Sequence, residues 1–377
     1  MHIIYFLTYD YSFKLWSEGG NLSRELDYFN KFNDFDQNIR YTFVSYGDIS
    51  DFEYLNESKQ FRLIPIYEHV PRFENKLLRF FVSLYIPFAL KRILKFESID
   101  IIKQNQLQGS WVAILLKLLC KKPLIIRTGY DVLTFKIKEK KSRVIILFYR
   151  LLTNISLRQS SIYTVTSDVD KAFLKKEFKK YNKIKLRRNF VSLDNLNKFN
   201  EFEKRKSNII CSGRLEEQKN FYYILSELKN SEVDIEIYGD GSKKEELIVF
   251  SNKNKNNVSF MGQVDNKKIL QVLSNNKYFV SASIYEGNPK NVLEAMLSGC
   301  VVFVSKNDNT SEIITNGKDG FLFDLGEGNL EESFKVNYLN EKLLKNISLN
   351  ARTRVETRNS LKTLVELEIS DFNEVTQ

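Results

Sequence analysis

The stretch Ser283-Ile284-Tyr285-Glu286-Gly287-Asn288-Pro289-Lys290-Asn291-Val292-Leu293-Glu294-Ala295 passes from a strand through a polar loop into a helix. The run before it, Tyr278 to Ser283, is aromatic and β-branched and reads as the strand. Asn288 is a good N-cap and Pro289 suits the first helical position. Ligands of parallel sheets bind at the carboxyl ends of strands, so the unpaired N–H groups of that first helical turn form an anion site suited to a diphosphate. Glu286 lies in the loop and Glu294 more than a turn into the helix, which sets the two carboxylates at different depths of one cleft, each able to grip a hydroxyl-bearing group. The alternative is that Glu294 pairs with Lys290 at i,i+4 on a solvated face and that Glu286 is a plain loop residue.

Two other strand ends in the same half carry similar chemistry. In Gly213-Arg214-Leu215-Glu216-Glu217-Gln218-Lys219-Asn220 a strand end and a glycine open onto a basic loop, where Arg214 and Lys219 can neutralise the charge on a departing nucleoside diphosphate, although an ordinary surface Arg and Lys have the same appearance. In Tyr238-Gly239-Asp240-Gly241-Ser242 the small residues Gly239 and Gly241 allow close backbone approach to a ligand, although a plain βα turn has the same appearance.

The rest of the chain has the same rhythm. Strands are expected at Ile3 to Leu7, Tyr41 to Ser45, Arg62 to Ile66, Ile99 to Lys103, Leu124 to Arg127 and Ile162 to Thr166. In the second half they are expected at Asn208 to Ser212, Asp234 to Tyr238, Val258 to Met261, Tyr278 to Ser283, Val301 to Ser305 and Gly320 to Phe323. Strands alternating with longer helical patterns mean parallel sheets covered on both faces, here two doubly wound α/β units in tandem. Between about Asn189 and Ser207 the apolar pattern dissolves into Asn, Lys, Glu and Asp, which places the hinge. The expected domains are 1–190 and 205–350, with a C-terminal helix at about 355–377 as a candidate to pack back on the first.

Composition narrows the function. A 43% apolar and 13% aromatic content supports proper cores. Cys120, Cys211 and Cys300 are odd in number, far apart and set in apolar runs, as buried thiols of a reducing cytoplasm would be. The two histidines, His2 and His69, stand near no cysteine and propose no transition-metal site. The acidic pairs Asp34-Phe35-Asp36 and Asp168-Val169-Asp170 read as coincidental, the second simply opening a helix. The amino terminus lacks a basic n-region and reads as a first strand, and no apolar run approaches the ~20 residues of a spanning helix. A nicotinamide-binding Gly-x-Gly-x-x-Gly is missing after that strand, and no nucleic-acid recognition module is present.

The order of Gly213 to Asn220, Gly239 to Gly241, and Glu286 with Glu294 resembles the C-terminal domain of the GT4-like retaining glycosyltransferases. Ser311-Glu312-Ile313-Ile314 and Asn316-Gly317-Lys318-Asp319-Gly320-Phe321-Leu322 are similar to that family's closing segment. The strong resemblance covers roughly Asn208 to Leu325. It implies the GT-B architecture, two Rossmann-like doubly wound domains facing a central cleft, and transfer of a sugar from a nucleotide-sugar donor to a glycan or lipid-linked acceptor in cell-surface polysaccharide synthesis.

By the same resemblance, Glu294 binds the ribose hydroxyls, Arg214 and Lys219 the diphosphate, and Glu286 with Gly287, Asn288 and Pro289 the transferred sugar. The family's glycine loop falls at Gly19 and Gly20, and Asn189 falls where its first domain closes. Arg127-Thr128-Gly129-Tyr130-Asp131 stands where many members carry a histidine near the sugar; this chain has none there, and Asp131 is the candidate contact. The implied chemistry retains the anomeric configuration, with neither cofactor nor metal required, because fixed cations and helix N-termini balance the charge. Other outcomes of the same fold are a sugar-nucleotide epimerase and a non-catalytic glycan-binding relative.

The net charge of +10 calls for an anionic partner. Lys76 to Lys95 is basic at both ends and aromatic between, with Pro87 expected to interrupt it, and a second basic run extends from Lys171 to Arg188. A cytoplasmic protein docked on the inner leaflet through these two segments is the expectation, with a buried helix and a solvated helix as the respective alternatives.

Overall fold

In the computed structural model the structure describes residues 1–377 except 56, 180–182, 192–199, 230, 232, 255–256 and 339. Residues 192–199 of the expected hinge and Lys180 of the basic run therefore lie outside the described residues. The chain forms two compact units, Met1–Arg187 with Leu364–Gln377, and Arg188–Thr363.

Unit 1 holds a parallel sheet of seven strands: β1 (His2–Phe6), β2 (Arg40–Ser45), β3 (Phe61–Pro65), β4 (Ile101–Asn105), β5 (Leu124–Arg127), β6 (Ile162–Val165) and β7 (Ile184–Leu186). Their order is β3-β2-β1-β4-β5-β6-β7, with pairs such as Ile4↔Thr42 and Ile4↔Ile102 in register. Because parallel strands are covered on both faces, these are almost continuously apolar. Alternate residues serve different layers. Ile4 and Phe6 join an aliphatic core with Ile102, Val112, Ala113 and Leu116, while Tyr5 meets Phe29 edge-on with centroids 4.9 Å apart in a cluster with Phe43.

Unit 2 repeats the plan with β8 (Lys206–Ser212), β9 (Ile235–Tyr238), β10 (Val258–Gly262), β11 (Asn276–Ser281), β12 (Val301–Ser305) and β13 (Phe321–Phe323), in the order β10-β9-β8-β11-β12-β13. In both sheets the strands run outward from the first one and then resume on its other side. The switch points lie at β1/β4 and β8/β11, and a crevice opens there beyond the carboxyl ends.

The expected strands are all present within a residue or two. Two elements escaped the sequence. β7 has only three residues, too few for a period. The helix Phe13–Glu18, capped by Ser12, stands between β1 and Gly19. Pro87 does interrupt the Lys76 to Lys95 segment: helix Lys76–Ser83 stops, and Ile86–Ile93 starts with the proline in its first turn, where its missing N–H costs nothing.

In the basic run from Lys171 to Arg188 the later cations are already paired. Lys185 contacts Asp371 at 2.9 Å, Arg187 contacts Asp371 at 2.5 Å, and Arg188 contacts Glu312 at 2.8 Å. Lys183 donates to the Ser160 carbonyl at 2.7 Å. Those groups hold protein segments together rather than forming an open basic patch.

In the last helix, Leu361–Thr376, residues from Leu364 onward belong to unit 1. Lys103, in the middle of β4 and 1% exposed, sends its ammonium to Glu368 Oε2 at 2.7 Å and to the Tyr28 hydroxyl at 2.6 Å. The Tyr28 hydroxyl also donates to Glu368. Phe372 stacks on Phe32 with centroids 5.7 Å apart.

Candidate active site

At the β8/β11 crevice of unit 2, the loops after both strands are tied together by named groups. Gln218 donates through Nε2 to the Tyr285 carbonyl at 2.8 Å, and the Ile284 N–H donates to the Gln218 carbonyl at 2.9 Å. Asn291 Nδ2 donates to the Ser212 carbonyl at 2.7 Å, and Ser305 Oγ to the Ser283 carbonyl at 2.6 Å. Across this frame Lys219 forms an ion pair with Glu286 Oε1. Both side chains are largely withdrawn from water, where a charge pair is stronger than on an open surface.

The backbone of Glu286 is fixed separately: Asn309 Nδ2 donates to its carbonyl at 2.6 Å. Asn309 lies in the helix Asp308–Ile313, whose N-cap Asn307 forms a capping box with Thr310. Glu294, 7% exposed, accepts from Asn266 Nδ2 at 2.8 Å through Oε1. The Lys290 ammonium, one turn earlier on the same helix, sits 5.7 Å from the Phe190 ring centroid. Asn309 and Asn266 escaped the sequence because only the fold brings them beside the two glutamates.

The helix after the loop is Lys290–Leu297, and its N-cap is Pro289 rather than Asn288. Asn288 is instead buried, with its carbonyl accepting from Asn189 Nδ2 at 2.8 Å. Proline gives no side-chain cap, in contrast to Asp265 and Asn307 at neighbouring helices. The first-turn N–H groups consequently point out of the helix beside Gly287 and Glu286 without a capping side chain, which suits an anion.

Gly239 and Gly241 have a reason that lies within the protein. A Cβ on Gly239, at φ +145°, would fall 1.9 Å from the Gly213 carbonyl oxygen, and one on Gly241 would fall 2.6 Å from that of Leu215. The glycines let the β9 loop lie on the β8 loop, locked by Gly213 N–H to Tyr238 O at 3.0 Å and Leu215 N–H to Asp240 O at 2.9 Å. Asp240 is engaged locally, pairing with Lys244 at 2.8 Å and accepting from the Gly241 N–H. Arg214 is exposed at the rim of the same loop.

In unit 1, Gly19 caps the helix Phe13–Glu18 and Gly20 has a φ of +66°, so the pair turns the chain between two helices. Asp131 is the N-cap of Val132–Lys138, its Oδ2 accepting from the Thr134 N–H at 2.7 Å and the Thr134 hydroxyl at 2.5 Å. The carboxylate expected to contact substrate is thus 1% exposed and committed to a helix end.

Asp170 lies nearby. Burial, then the charge of Asp131, push its carboxyl up to about 6. The folded state holds this proton more tightly than the unfolded chain, whose Asp titrates near 4, so stability falls as pH rises from about 4 to about 6. Asp170→Asn is expected to exceed the parent protein in stability at pH 7 by on the order of 2–3 kcal/mol and to lose the advantage by pH 4. Urea unfolding at the two pH values checks this; a difference independent of pH would remove the account.

Residues 194–354 match the family Glycosyl transferases group 1. An uncharacterised 41.2 kDa protein in the cps region of Klebsiella pneumoniae is 28% identical over 285 residues, 69% of this chain and 75% of that protein. An uncharacterised glycosyltransferase of Methanocaldococcus jannaschii is 30% identical over 172 residues, 41% of each chain. Among solved structures, sucrose-phosphate synthase from Thermosynechococcus elongatus superposes with a TM-score of 0.84 at 14% identity, covering 99% of each chain. Anabaena HepE in complex with UDP and glucose gives a TM-score of 0.77 at 17% identity, covering 99% of this chain and 100% of that one. The fold is therefore the GT-B fold.

Proposed function

We propose that this chain, whose residues 194–354 belong to the glycosyl transferases group 1 family, moves a sugar from a nucleotide-sugar donor to a glycan or lipid-linked saccharide with retention at the anomeric carbon. The observation that carries the reading is the meeting of Lys219 with Glu286 at the β8/β11 switch point, beside the helix Lys290–Leu297 that has no side-chain cap. In this reading the nucleoside diphosphate takes the helix N-terminus, with Lys219 and the rim cation Arg214 neutralising it as the sugar bond breaks. Lys219 then shares its charge between Glu286 and the phosphates, and Glu286 is left facing the transferred sugar. Glu294, held by Asn266, takes the ribose hydroxyls. The charge-balancing is assigned to protein groups, so turnover is expected to survive EDTA.

HepE was solved with UDP and glucose, which makes uridine nucleotides the first donors to try. The Klebsiella relative in the cps region supports a cell-surface saccharide as the acceptor class. The test is a thermal-shift and turnover screen against UDP-, GDP-, ADP- and dTDP-sugars, run beside Glu294→Ala. One nucleotide series is expected to stabilise the protein, by about 2.7 kcal/mol at a hundredfold excess over Kd, and the variant to lose most of that. A folded protein indifferent to every series would reject the donor site, and loss of turnover in EDTA restored by Mn²⁺ would reject the metal-free mechanism.

A further inference from the structure

The helix Arg143–Gln159 carries an apolar stripe on its outer side in addition to the buried Leu152 and Leu157. Val144, Leu147, Phe148, Leu151 and Ile155 fall on one stripe of it and are exposed, Val144 to 77%. Its buried side includes Thr153 and Ser156, the latter donating to the Ser110 hydroxyl at 3.0 Å. A helix whose outer side faces water ordinarily carries polar groups there. A second stripe lies on the helix Lys76–Ser83, where Leu77, Leu78 and Phe81 are exposed, and it continues through Tyr85 and Phe88. Helices Ile86–Ile93 and Arg143–Gln159 both pack on Ser110–Cys120, whose Leu118 is exposed as well. Scattered surface leucines need no explanation, but two apolar stripes on a connected set of helices do.

Charge identifies the occupant. From Lys136 to Arg158 the chain carries seven cations and one carboxylate, Glu139, and from Lys76 to Lys95 it carries cations only; Lys136, Arg150 and Arg79 pair with Glu139, Glu177 and Asp10, and the excess over those pairs is positive. A second copy of the chain meeting this face symmetrically would set cation against cation. We propose that this face of unit 1 docks on an anionic lipid bilayer, with the apolar stripes entering the boundary between headgroups and acyl chains and the cations lying against lipid phosphates. No helix among the described residues is long and apolar enough to cross a membrane, so this is attachment in the interface plane. The surface differs from the one the sequence suggests, since Lys185, Arg187 and Arg188 at the end of the second basic run are held in ion pairs and the apolar stripe lies on Arg143–Gln159 instead.

Co-sedimentation of the full chain with vesicles tests the inference without any donor or acceptor, so it stands or falls apart from the proposed reaction. Vesicles of phosphatidylcholine mixed with phosphatidylglycerol are expected to bind at least ~10-fold more protein than phosphatidylcholine alone, because each cation at such a surface multiplies binding about fivefold. Lys140→Gln with Lys141→Gln is expected to weaken binding roughly 25-fold on the same basis. Leu147→Glu with Leu151→Glu, at exposed positions, is expected to abolish it with the circular dichroism unchanged. Leu147→Trp supplies a signal that depends on no loss of binding: its emission shifts to the blue on adding anionic vesicles. Equal indifference to both vesicle types overturns the proposal, as does a dimer dissociated by Leu147→Glu with Leu151→Glu in a protein that leaves vesicles untouched.

Discussion

Glu286→Gln is expected to lower kcat by about 10³-fold while nucleotide binding stays within a few-fold of the parent protein. The amide keeps the shape of the side chain and an acceptor for Lys219, and the carbonyl that Asn309 holds is unchanged, so the loop has no reason to move. What is lost is the negative charge facing the sugar, which matters most when positive character develops at the anomeric carbon. An interaction made chiefly in the transition state lowers kcat and kcat/KM together, whereas a ground-state contact alone raises KM. Steady-state kinetics beside calorimetric titration of the nucleotide separate the two. A variant with near-parental kcat would remove Glu286 from the chemistry.

Lys103→Met carries the largest expected stability effect, a loss of about 3–5 kcal/mol. It removes the ammonium that Glu368 contacts and leaves that buried carboxyl with the Tyr28 hydroxyl and the nearby buried Arg127 guanidinium, and breaking one side of a buried pair costs far more than the intact pair contributes. Burial pushes the Lys103 ammonium down, and Glu368 opposes that shift. The double variant Lys103→Met with Glu368→Leu is therefore expected to recover most of the loss, since apolar pairs of similar volume replace such bridges at little cost. Both tryptophans, Trp16 and Trp111, lie in unit 1, so fluorescence during urea unfolding reports the right half of the protein. A single variant within 1 kcal/mol of the parent would show that the pair is not as dry as its burial indicates.

Much of this architecture is legible in the sequence because parallel strands buried on both faces must be apolar runs, and turn residues must punctuate them. Glu286 and Glu294 are legible for a related reason, as they follow a strand at a helix start, where the chain alone fixes the local geometry. The partners of those residues are not. Lys219 lies 67 residues before Glu286, and Asn266 lies 28 before Glu294; such pairings depend on strand order, which no local period encodes. Asp131 shows an ambiguity of another kind. An acidic residue before an apolar helix has the appearance of both a ligand contact and a cap, and the structure shows the cap through Oδ2. The stripe on Arg143–Gln159 was hidden because periodicity reveals an apolar face without saying whether it turns inward.

The bridge from Lys103 to Glu368 also sets an order of events. Its partners are separated by 265 residues, so at ~5–20 residues per second a ribosome delivers Glu368 roughly 13–50 s after Lys103. The rest of the seven-stranded sheet and then all of unit 2 are made in that interval, while the nascent first unit holds a lysine in the middle of its sheet without its carboxylate. The half that is begun first is therefore completed only after the other has been synthesised.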